Sequence, residues 1–554
     1  MLGMPIPRTM HRIILLRRLK LKIFIVTFIV VLVYCLIFYK SMNVSPLWKL
    51  YNKNKKAVVE LQYVVVHIDL KGAPPKLEYL RSLLPALKDN GANGLLMEYE
   101  DMFPYEGKLV NLSAKNCYDR LQNFTETAVQ LGFEIIPLIQ TFGHLEYALK
   151  LEEFRGLRED LVHPDSMCPS KVKSKNMVME MLEQVVKFHA RISPLKHIHV
   201  GCDEVYVINK CMYCKRRKLS NEYISNVISN LSPDTIVLIW DDMLRKVKPQ
   251  SWVKIANFNN IEPVYWHYAE LDKFPHVDMM NYRKKFKNQW LATAYKGADG
   301  KTATIPNLYN RLVNHFSWMA NIQTAKVPGE NKVYHFKGII LTGWSRYSHL
   351  DPICELLPVS IPSLITNLRT IKHFKIGFVD KSIDIDKFYK FHLATGDSNF
   401  YCLQITEIIP SIDYICEFCY FKGHNLFYLT NFHIVLINDI KSFLISYDEI
   451  SAFEYYFKSN YINKNEIQLN EVIEKCSESS SALQDTEYKI SVAMKEYFED
   501  DVIDEYIGYK SYSVKKKLAY LCKSLQTFSL YNGSWERRPN QLELPVKKNI
   551  VRTP

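Results

Sequence analysis

From Tyr63 onward, apolar and polar positions follow one another along the chain in a regular order. A short β-branched or aliphatic run is followed by a polar turn, then by a longer amphipathic segment, and then by another apolar run. Runs of this length and composition predict buried β-strands. The predicted strands are YVVVHID from Tyr63, GLLMEYE from Gly94, FEIIPLI from Phe133, HIHVG from His197, TIVLIWD from Thr235, PVYWHY from Pro263, QWLATAY from Gln289 and GIILTGW from Gly338.

The segments between the runs carry helical periodicity. In LEYLRSLLPALKDNG, which begins at Leu77, and NMVMEMLEQVVKFHARI, which begins at Asn176, apolar residues recur every three or four positions. Eight strands that alternate with helices over about 300 residues predict an α/β fold, the (β/α)8 TIM barrel. We expect this barrel to occupy residues 59–370.

The barrel prediction has a consequence for the chemistry, because active sites of this fold lie at the C-terminal ends of the strands. Carboxylates, aromatic rings and one histidine end or follow the runs. Any one aromatic ring at a strand end is more often part of the core, but a position shared on one rim indicates a site. These residues are Asp69, Glu98, Glu100, His144, Asp203, Glu204, Trp240, Asp241, Asp242, Trp266, Tyr268, Tyr295 and Trp344.

The fourth run ends in two adjacent carboxylates, Asp203 and Glu204. Most such pairs lie in solvated acidic turns. Consecutive residues of a regular strand point to opposite faces, so both can line one pocket only if the strand has already ended. Carboxylates beside aromatic rings suit sugar binding and glycosidic cleavage, but adjacent carboxylates are unlikely to lie on opposite sides of a bond. They suit a substrate-assisted mechanism, in which the 2-acetamido group of the sugar is the nucleophile.

The N-terminal part of the chain predicts a membrane anchor. Residues Ile23 to Tyr39 are free of charge, and six basic residues between Arg8 and Lys22 precede them. This basic flank without a small-residue cleavage site indicates a retained signal-anchor with a cytoplasmic N-terminus. We therefore expect a cytoplasmic tail over 1–22, a transmembrane helix over 23–39, a stalk over 40–58 and a lumenal catalytic domain. Sequons for N-glycosylation follow the predicted span at Asn43, Asn111, Asn123, Asn230 and Asn532.

The C-terminal part beyond the barrel shows a different pattern. Residues 371–536 predict a mainly helical extension of undetermined role, in which 416–450 show no clear period and 477–525 form amphipathic helix packed on the barrel. The tail over 537–554 is rich in proline and basic residues and is predicted to be disordered.

Charge and cysteine content exclude some functions and leave others open. The net charge is +13, but the basic residues are scattered and no nucleic-acid-binding motif occurs, so nucleic acid is not expected as a partner. Of 12 cysteines, Cys211 and Cys214 form a C-x-x-C pair. A zinc knuckle needs a second ligand pair, and none is evident nearby, so a disulfide or free thiols are favoured over a metal. We predict no cofactor and no metal, and a homodimer stays open.

The motif H-x-G-x-D-E, formed by His199, Gly201, Asp203 and Glu204, resembles the catalytic signature of family 20 glycoside hydrolases, the β-N-acetylhexosaminidases. Over residues 60 to 370 the chain is similar to the hexosaminidase D branch and its invertebrate membrane-anchored relatives. The segments that carry this similarity are HIDLKGAPPK from His67, MEYEDMFPY from Met97, QTFGHLEYALK from Gln140, HVGCDEVY from His199, IWDDM from Ile239, AYKGADG from Ala294 and TGWSRYSHLDPICELLP from Thr342.

The resemblance implies a retaining exo-β-N-acetylhexosaminidase that removes terminal β-linked GlcNAc, GalNAc or both from glycans. Glu204 would be the general acid and then the base, with a raised pKa, and Asp203 would polarise the acetamido group. Trp344 would stack on the pyranose, and Tyr268 would donate to the acetamido carbonyl. The pocket wall implied by the resemblance consists of His144, Asp241, Trp266, Tyr268 and Trp344.

Two departures from the family leave questions open. Lysosomal members carry an arginine on the first strand for the sugar hydroxyls, whereas this strand ends in His67-Ile68-Asp69-Leu70-Lys71, so the sugar preference is undetermined. Vertebrate hexosaminidase D resembles a soluble intracellular protein, whereas the anchor predicted here favours the Golgi or another secretory compartment and trimming of N-glycans.

Two other functions compete with this one. The first is a catalytically silent carbohydrate-binding protein on the same barrel, although a lectin has no need of both Asp203 and Glu204. The second is a metal-dependent deacetylase or hydrolase that uses His67, Asp69 and the cysteine pair, and it would lose activity with a chelator.

Overall fold

A computed structural model describes residues 58–217, 227, 231–246, 252, 258–375, 401–402, 419–446 and 466–530. The predicted cytoplasmic tail, the membrane span over 23–39, nearly all of the stalk and the predicted disordered tail over 537–554 lie outside these residues. Within the described part of the chain, no helix is both long enough and apolar enough to cross a bilayer.

Eight parallel strands form a closed barrel in sequence order, because the first strand pairs with both the second and the eighth. The predicted (β/α)8 barrel is thereby confirmed, and every predicted strand contributes to it. The strands are β1 (Tyr63–Asp69), β2 (Gly94–Glu98), β3 (Glu134–Leu138), β4 (His197–His199), β5 (Ile236–Trp240), β6 (Ile261–Trp266), β7 (Trp290–Lys296) and β8 (Gly338–Gly343).

Helices surround the barrel and close most of the crossovers. Parallel neighbours need such crossovers, and a sheet covered on both faces explains why the strands are apolar almost throughout. The helices of this layer are α1 (Leu77–Asp89), α2 (Leu121–Gln130), α3 (Glu146–Leu149), α4 (Val172–Ala190), α5 (Met212–Arg217), α6 (Asp242–Arg245), α7 (His276–Lys285), α8 (Leu308–Thr324) and α9 (Ile361–Lys375).

The core has two layers that follow from the period of two along each strand. Val65, Leu96, Ile340 and Trp290 belong to a cluster inside the barrel, together with other strand residues. The alternate positions, such as Val66, pack outward against the helices in a larger cluster. The strands end where polar residues begin, and this places the carboxylates of the runs at one rim.

The described residues of the C-terminal extension lie largely in three long helices, α10 (His424–Ser446), α11 (Glu466–Met494) and α12 (Asp500–Ser529). Residues such as Phe427, Met494 and Ile503 join the same buried cluster as the barrel helices. Farther along, the three helices share a small core of their own, and a disulfide joins Cys476 to Cys522. The extension is thus packed on the barrel, as predicted for 477–525.

Helix α10 was not predicted, because 416–450 show no helical period. This helix buries side chains on several sides, including Leu426 and Phe427 in the barrel cluster and Ile440 and Phe443 in the helical cluster. A helix that is apolar on several faces lacks the single stripe by which amphipathic helices are identified.

Candidate active site

Left-handed backbone conformations end β4 and allow the two carboxylates to share one side. Gly201, Cys202 and Glu204 have φ values of 65°, 69° and 44°. Non-glycine residues rarely adopt such values, and they cluster at functional sites. The alternation of the strand is broken at this point, so Asp203 and Glu204 both reach the same neighbour, His144.

His144 comes from the loop after β3 and also has a left-handed backbone, with φ 52°. Its Nε2 atom lies 3.5 Å from Oδ2 of Asp203 and 3.3 Å from Oε2 of Glu204. Burial lowers the pKa of His144, but the Asp203 carboxylate and the hydrogen bond to Glu204 outweigh it and raise the pKa to about 9. A positive charge on His144 therefore stands between the two carboxylates at neutral pH.

The two carboxylates differ in their surroundings. Burial raises the pKa of Asp203 to about 7, against the opposing effect of His144. The hydrogen bond from His144 lowers the pKa of Glu204, whose side chain is 35% exposed, so water opposes burial there. The raised pKa expected for Glu204 is thus not found for the protein alone, because the hydrogen bonds from His144 and Tyr206 outweigh its partial burial.

A cavity of about 390 Å³ opens at the C-terminal rim of the barrel, in front of the carboxylates. Its aromatic wall is rigid: Nε1 of Trp344 donates to Oη of Tyr268 at 3.1 Å, and the ring of Tyr268 lies 5.3 Å from that of Trp266. Six of the seven predicted site residues line this cavity. The lining residues are Lys71, His144, Asp203, Glu204, Trp240, Trp266, Tyr268, Ala269, Gly297, Ala298, Arg311, Trp344, Arg346 and Tyr347.

Asp241 is the predicted site residue that does not line the cavity. It is fully buried behind the wall, where its carboxylate accepts a hydrogen bond of 2.7 Å from Tyr282 and pairs with Arg245 at 2.9 Å. The backbone N–H of Trp266 also donates to it. Burial raises the pKa of Asp241 to about 7, against the effect of Arg245. Its position therefore corrects the prediction of a pocket-wall residue: Asp241 supports the wall from behind.

Asp242 performs a second positioning task that the sequence did not predict. One carboxylate oxygen accepts the backbone N–H of Glu204 at 3.0 Å, and the other accepts Nε1 of Trp266 at 3.4 Å. Asp242 thus joins the catalytic candidate on β4 to the aromatic wall on β6. The only available signal was its place beside Asp241 at the end of β5.

Lys71 is the cation that the first strand supplies to the cavity. It is 1% exposed, and its Nζ atom lies 3.4 Å from Glu100, 3.8 Å from Glu98 and 5.7 Å from the centre of the Trp344 ring. Burial lowers the pKa of Lys71, but Glu100 and Glu98 outweigh it and raise the pKa well above its usual value. A charged donor therefore lines the cavity from the segment just after β1.

Two arginines also line the cavity, and neither was predicted from the sequence. Arg311 pairs with Asp299 at 3.2 Å. Arg346 donates to the carbonyl of Asp351 at 2.8 Å and pairs with Glu505 of helix α12. The C-terminal extension therefore contacts a residue of the cavity wall, which no local pattern could indicate.

The cysteine pair does not meet the histidine and carboxylate of the first strand. Within the described residues, the groups that could share a metal with Cys211 and Cys214 are Glu159 and Cys168. His67 instead contacts Glu98 at 3.1 Å, and Asp69 accepts backbone N–H groups of Lys71 and Ser345. The competing metal-dependent hydrolase built on His67, Asp69 and the cysteine pair has no common site here.

The arrangement places two carboxyl groups of different exposure in one cavity that also has an aromatic wall. An exposed glutamate can exchange a proton with a substrate, and a buried aspartate can orient a neutral donor such as an amide N–H. The histidinium between them holds both side chains in place.

No protein-family model matches this chain. Hexosaminidase D of Bos taurus is 39% identical over 326 residues, which are 56% of this chain and 92% of that protein. Hexosaminidase D of Homo sapiens is 38% identical over 327 residues, 56% of this chain and 65% of that protein. A GH20 exo-β-N-acetylglucosaminidase structure from Vibrio harveyi has a TM-score of 0.43 at 16% identity, covers 60% of this chain and 57% of that one, and is too distant to bear on function.

Proposed function

The chain belongs to the hexosaminidase D family of β-N-acetylhexosaminidases, and on that premise we propose that it removes terminal β-linked GlcNAc or GalNAc from glycans by a retaining, substrate-assisted mechanism. The observation that carries this proposal is the contact of one nitrogen of His144 with both Asp203 and Glu204. Two carboxylates that share one neighbour on one side of a cavity cannot attack a bond from opposite faces.

The nucleophile then has to come from the substrate. With the pyranose against Trp344, the carboxylate of Asp203 accepts the acetamido N–H, and Tyr268 donates to the acetamido oxygen. That oxygen attacks the anomeric carbon as Glu204 gives its proton to the leaving oxygen. An oxazolinium ion forms, the aglycone departs, and Glu204 then takes a proton from the water that opens the ring with retention.

Substrate binding supplies the raised pKa that Glu204 needs. The side chain is 35% exposed in the protein alone. A sugar that fills the cavity removes this contact with water, and desolvation raises the pKa of a carboxyl group. His144 opposes this rise. Glu204 therefore binds its proton only once the sugar and the aglycone cover its side chain.

The sugar hydroxyls have a candidate donor in Lys71. It lines the same cavity as Glu204 and stays charged through Glu98 and Glu100. We propose that Lys71 binds a hydroxyl on the side of the sugar remote from the acetamido group. Rates on GlcNAc and GalNAc glycosides, compared between wild type and Lys71→Arg, test this role, since a residue that only fills the core changes both rates equally.

We also propose that the catalytic domain lies in the lumen of the secretory pathway, most simply the Golgi, behind the anchor predicted at 23–39. The disulfide between Cys476 and Cys522 supports an oxidising compartment. Asn111 and Asn123, both in sequons, are exposed. Protease protection in sealed microsomes tests the topology: digestion of the catalytic domain without detergent contradicts it.

A homodimer stays a prediction, to be checked by light scattering.

The function itself is tested by release of p-nitrophenol from its β-GlcNAc and β-GalNAc glycosides by wild type and by Glu204→Gln. The proposal predicts turnover by wild type and a rate lower by about 10²–10⁴-fold for the variant. Proton NMR of the first product adds the stereochemistry, because the proposed mechanism releases the β-anomer. Wild type without turnover of either sugar would favour the silent carbohydrate-binding protein.

A further inference from the structure

Three cysteines and one glutamate meet outside the cavity. The sulfur of Cys168 lies 3.6 Å from that of Cys211 and 3.8 Å from that of Cys214. A carboxylate oxygen of Glu159 completes the group, and the four ligand atoms all lie within 4.8 Å of one another. Glu159, Cys168 and Cys214 are buried.

The sulfur separations fit tetrahedral zinc. Zn–S bonds of about 2.3 Å at tetrahedral angles place neighbouring sulfurs about 3.8 Å apart. A disulfide needs about 2.05 Å between the sulfurs, so the sulfur of Cys168 is not bonded to that of Cys211 or to that of Cys214. Cys476 and Cys522, by contrast, do form a disulfide. The spacing of the three thiols is thus that of ligands around a common centre.

The carboxylate of Glu159 provides a second observation that is independent of the sulfur separations. Its Oε1 atom accepts the backbone N–H groups of Lys210 and Cys211 at 2.7 and 3.0 Å. Its Oε2 atom is buried and has no N–H or O–H donor among the described residues. Buried carboxylate oxygens nearly always have a partner, and the group at hand is the thiol of Cys168, which hydrogen-bonds to the Glu159 side chain. A cation bound between the thiolate and the carboxylate would replace that proton.

We propose that Cys168, Cys211, Cys214 and Glu159 bind one Zn²⁺ ion in a structural site. Three thiolates favour zinc over calcium or magnesium, which prefer oxygen ligands. The backbone N–H of Cys214 donates to the sulfur of Cys211 at 3.4 Å, an outer contact that orients a thiolate ligand. The prediction of no metal from the C-x-x-C pair alone is revised by Glu159 and Cys168, which are distant in sequence.

The site joins two loops at the rim of the barrel. Glu159 and Cys168 lie in the connection between β3 and α4, which also contains His144 and α3, and Cys211 and Cys214 follow β4 beyond Glu204. Hydrogen bonds already connect these loops, as from the backbone N–H of Val207 to Ser166. An ion bound by ligands from both connections fixes them further. On the premise of the proposed function, this holds His144 in position against Glu204.

Metal analysis of the purified full-length protein, prepared without chelator or reductant, tests the site. Wild type and Cys117→Ser, a control at a free cysteine elsewhere, should contain about one zinc per chain, as a single four-ligand site requires. Cys168→Ser should lose at least nine-tenths of it. Zinc that is absent from wild type, or retained equally in Cys168→Ser, overturns the proposal.

A second measurement on wild type alone guards against a variant that does not fold. Titration of native thiols with a mercurial should release zinc, detected with a metal-binding dye, in step with the reaction of three thiols. Peptide mapping that finds a disulfide among Cys168, Cys211 and Cys214 would overturn the site. Zinc-containing protein without hexosaminidase turnover would refute the proposed function but leave this inference standing, and active zinc-free protein would do the reverse.

Discussion

The Nε2 atom of His144 lies 3.3 Å from Oε2 of Glu204, and the same nitrogen lies 3.5 Å from Asp203. One imidazole thus controls the protonation of both carboxylates. His144 lowers the pKa of Glu204 through a hydrogen bond and acts against the burial that raises the pKa of Asp203. The three groups titrate together, so their apparent pKa values belong to the cluster and not to any one residue.

The first prediction concerns the pH profile of His144→Gln. Loss of the positive charge raises the pKa of Glu204 and Asp203 together, so Glu204 keeps its proton and Asp203 gains its charge at higher pH. Both limbs of the profile of kcat/KM should move to higher pH. Initial rates of wild type and variant on a β-GlcNAc glycoside measure this, and a profile that stays in place or moves to lower pH contradicts the assigned contacts.

The second prediction concerns stability against pH. The pKa of His144 is raised to about 9 in the folded protein, from about 6.5 in an unfolded chain. Its protonated form therefore stabilises the fold fully below about pH 6.5, and this contribution is lost as pH rises to about 9. The difference in Tm between wild type and His144→Gln should shrink over that range.

The exposed His163 supplies the control for the stability measurement. His163→Gln should follow the wild-type Tm at every pH, because this side chain is outside the cavity lining. If the difference in Tm between wild type and His144→Gln instead grows between pH 6.5 and 9, the histidine is neutral in the folded protein.

The strands and their rim followed from sequence because local pattern decides them. Short continuous apolar runs and helices of period 3.6 lead to the barrel, and the rule that sites lie at strand ends indicated Asp203, Glu204 and Trp344. Residues joined only by folding were out of reach. Glu505 contacts Arg346 from the other end of the chain, and Cys168 meets Cys211 across two loops.

Asp241 illustrates a failure of a different kind. The fifth run ends Trp240-Asp241-Asp242, and nothing in the letters tells whether either of the two adjacent carboxylates faces the cavity. The strand ends at Trp240, whose ring lines the cavity, and Asp241 then turns behind the wall to Tyr282 and Arg245.

The third prediction follows from that position. Asp241→Asn leaves Arg245 without its carboxylate, and the removal of one partner of a buried pair costs about 3–5 kcal/mol, less here because Arg245 is 26% exposed. The Tm should fall while KM for a β-GlcNAc glycoside changes little in the remaining folded enzyme. A large rise in KM at unchanged Tm would return Asp241 to the pocket wall.

The fourth prediction concerns Tyr268, whose hydroxyl accepts a hydrogen bond from Trp344 and also contacts Thr342, and which in the proposed mechanism donates to the acetamido oxygen of the substrate. Tyr268→Phe should lower kcat/KM by about 10- to 100-fold, the value of one hydrogen bond to a developing charge. Thermal unfolding provides the check on folding. Tyr347→Phe, a change at another tyrosine of the cavity lining, should have a smaller effect.

The most direct measurement of the central claim, that the substrate's acetamido oxygen is the nucleophile beside Asp203 and Glu204, uses glycosides whose acetyl group carries zero, one, two or three fluorines. Fluorine withdraws electrons from the acetamido oxygen and weakens it as a nucleophile. The account predicts that kcat/KM falls steeply with each added fluorine. Rates that are independent of fluorine content would contradict it and require a nucleophile from the protein.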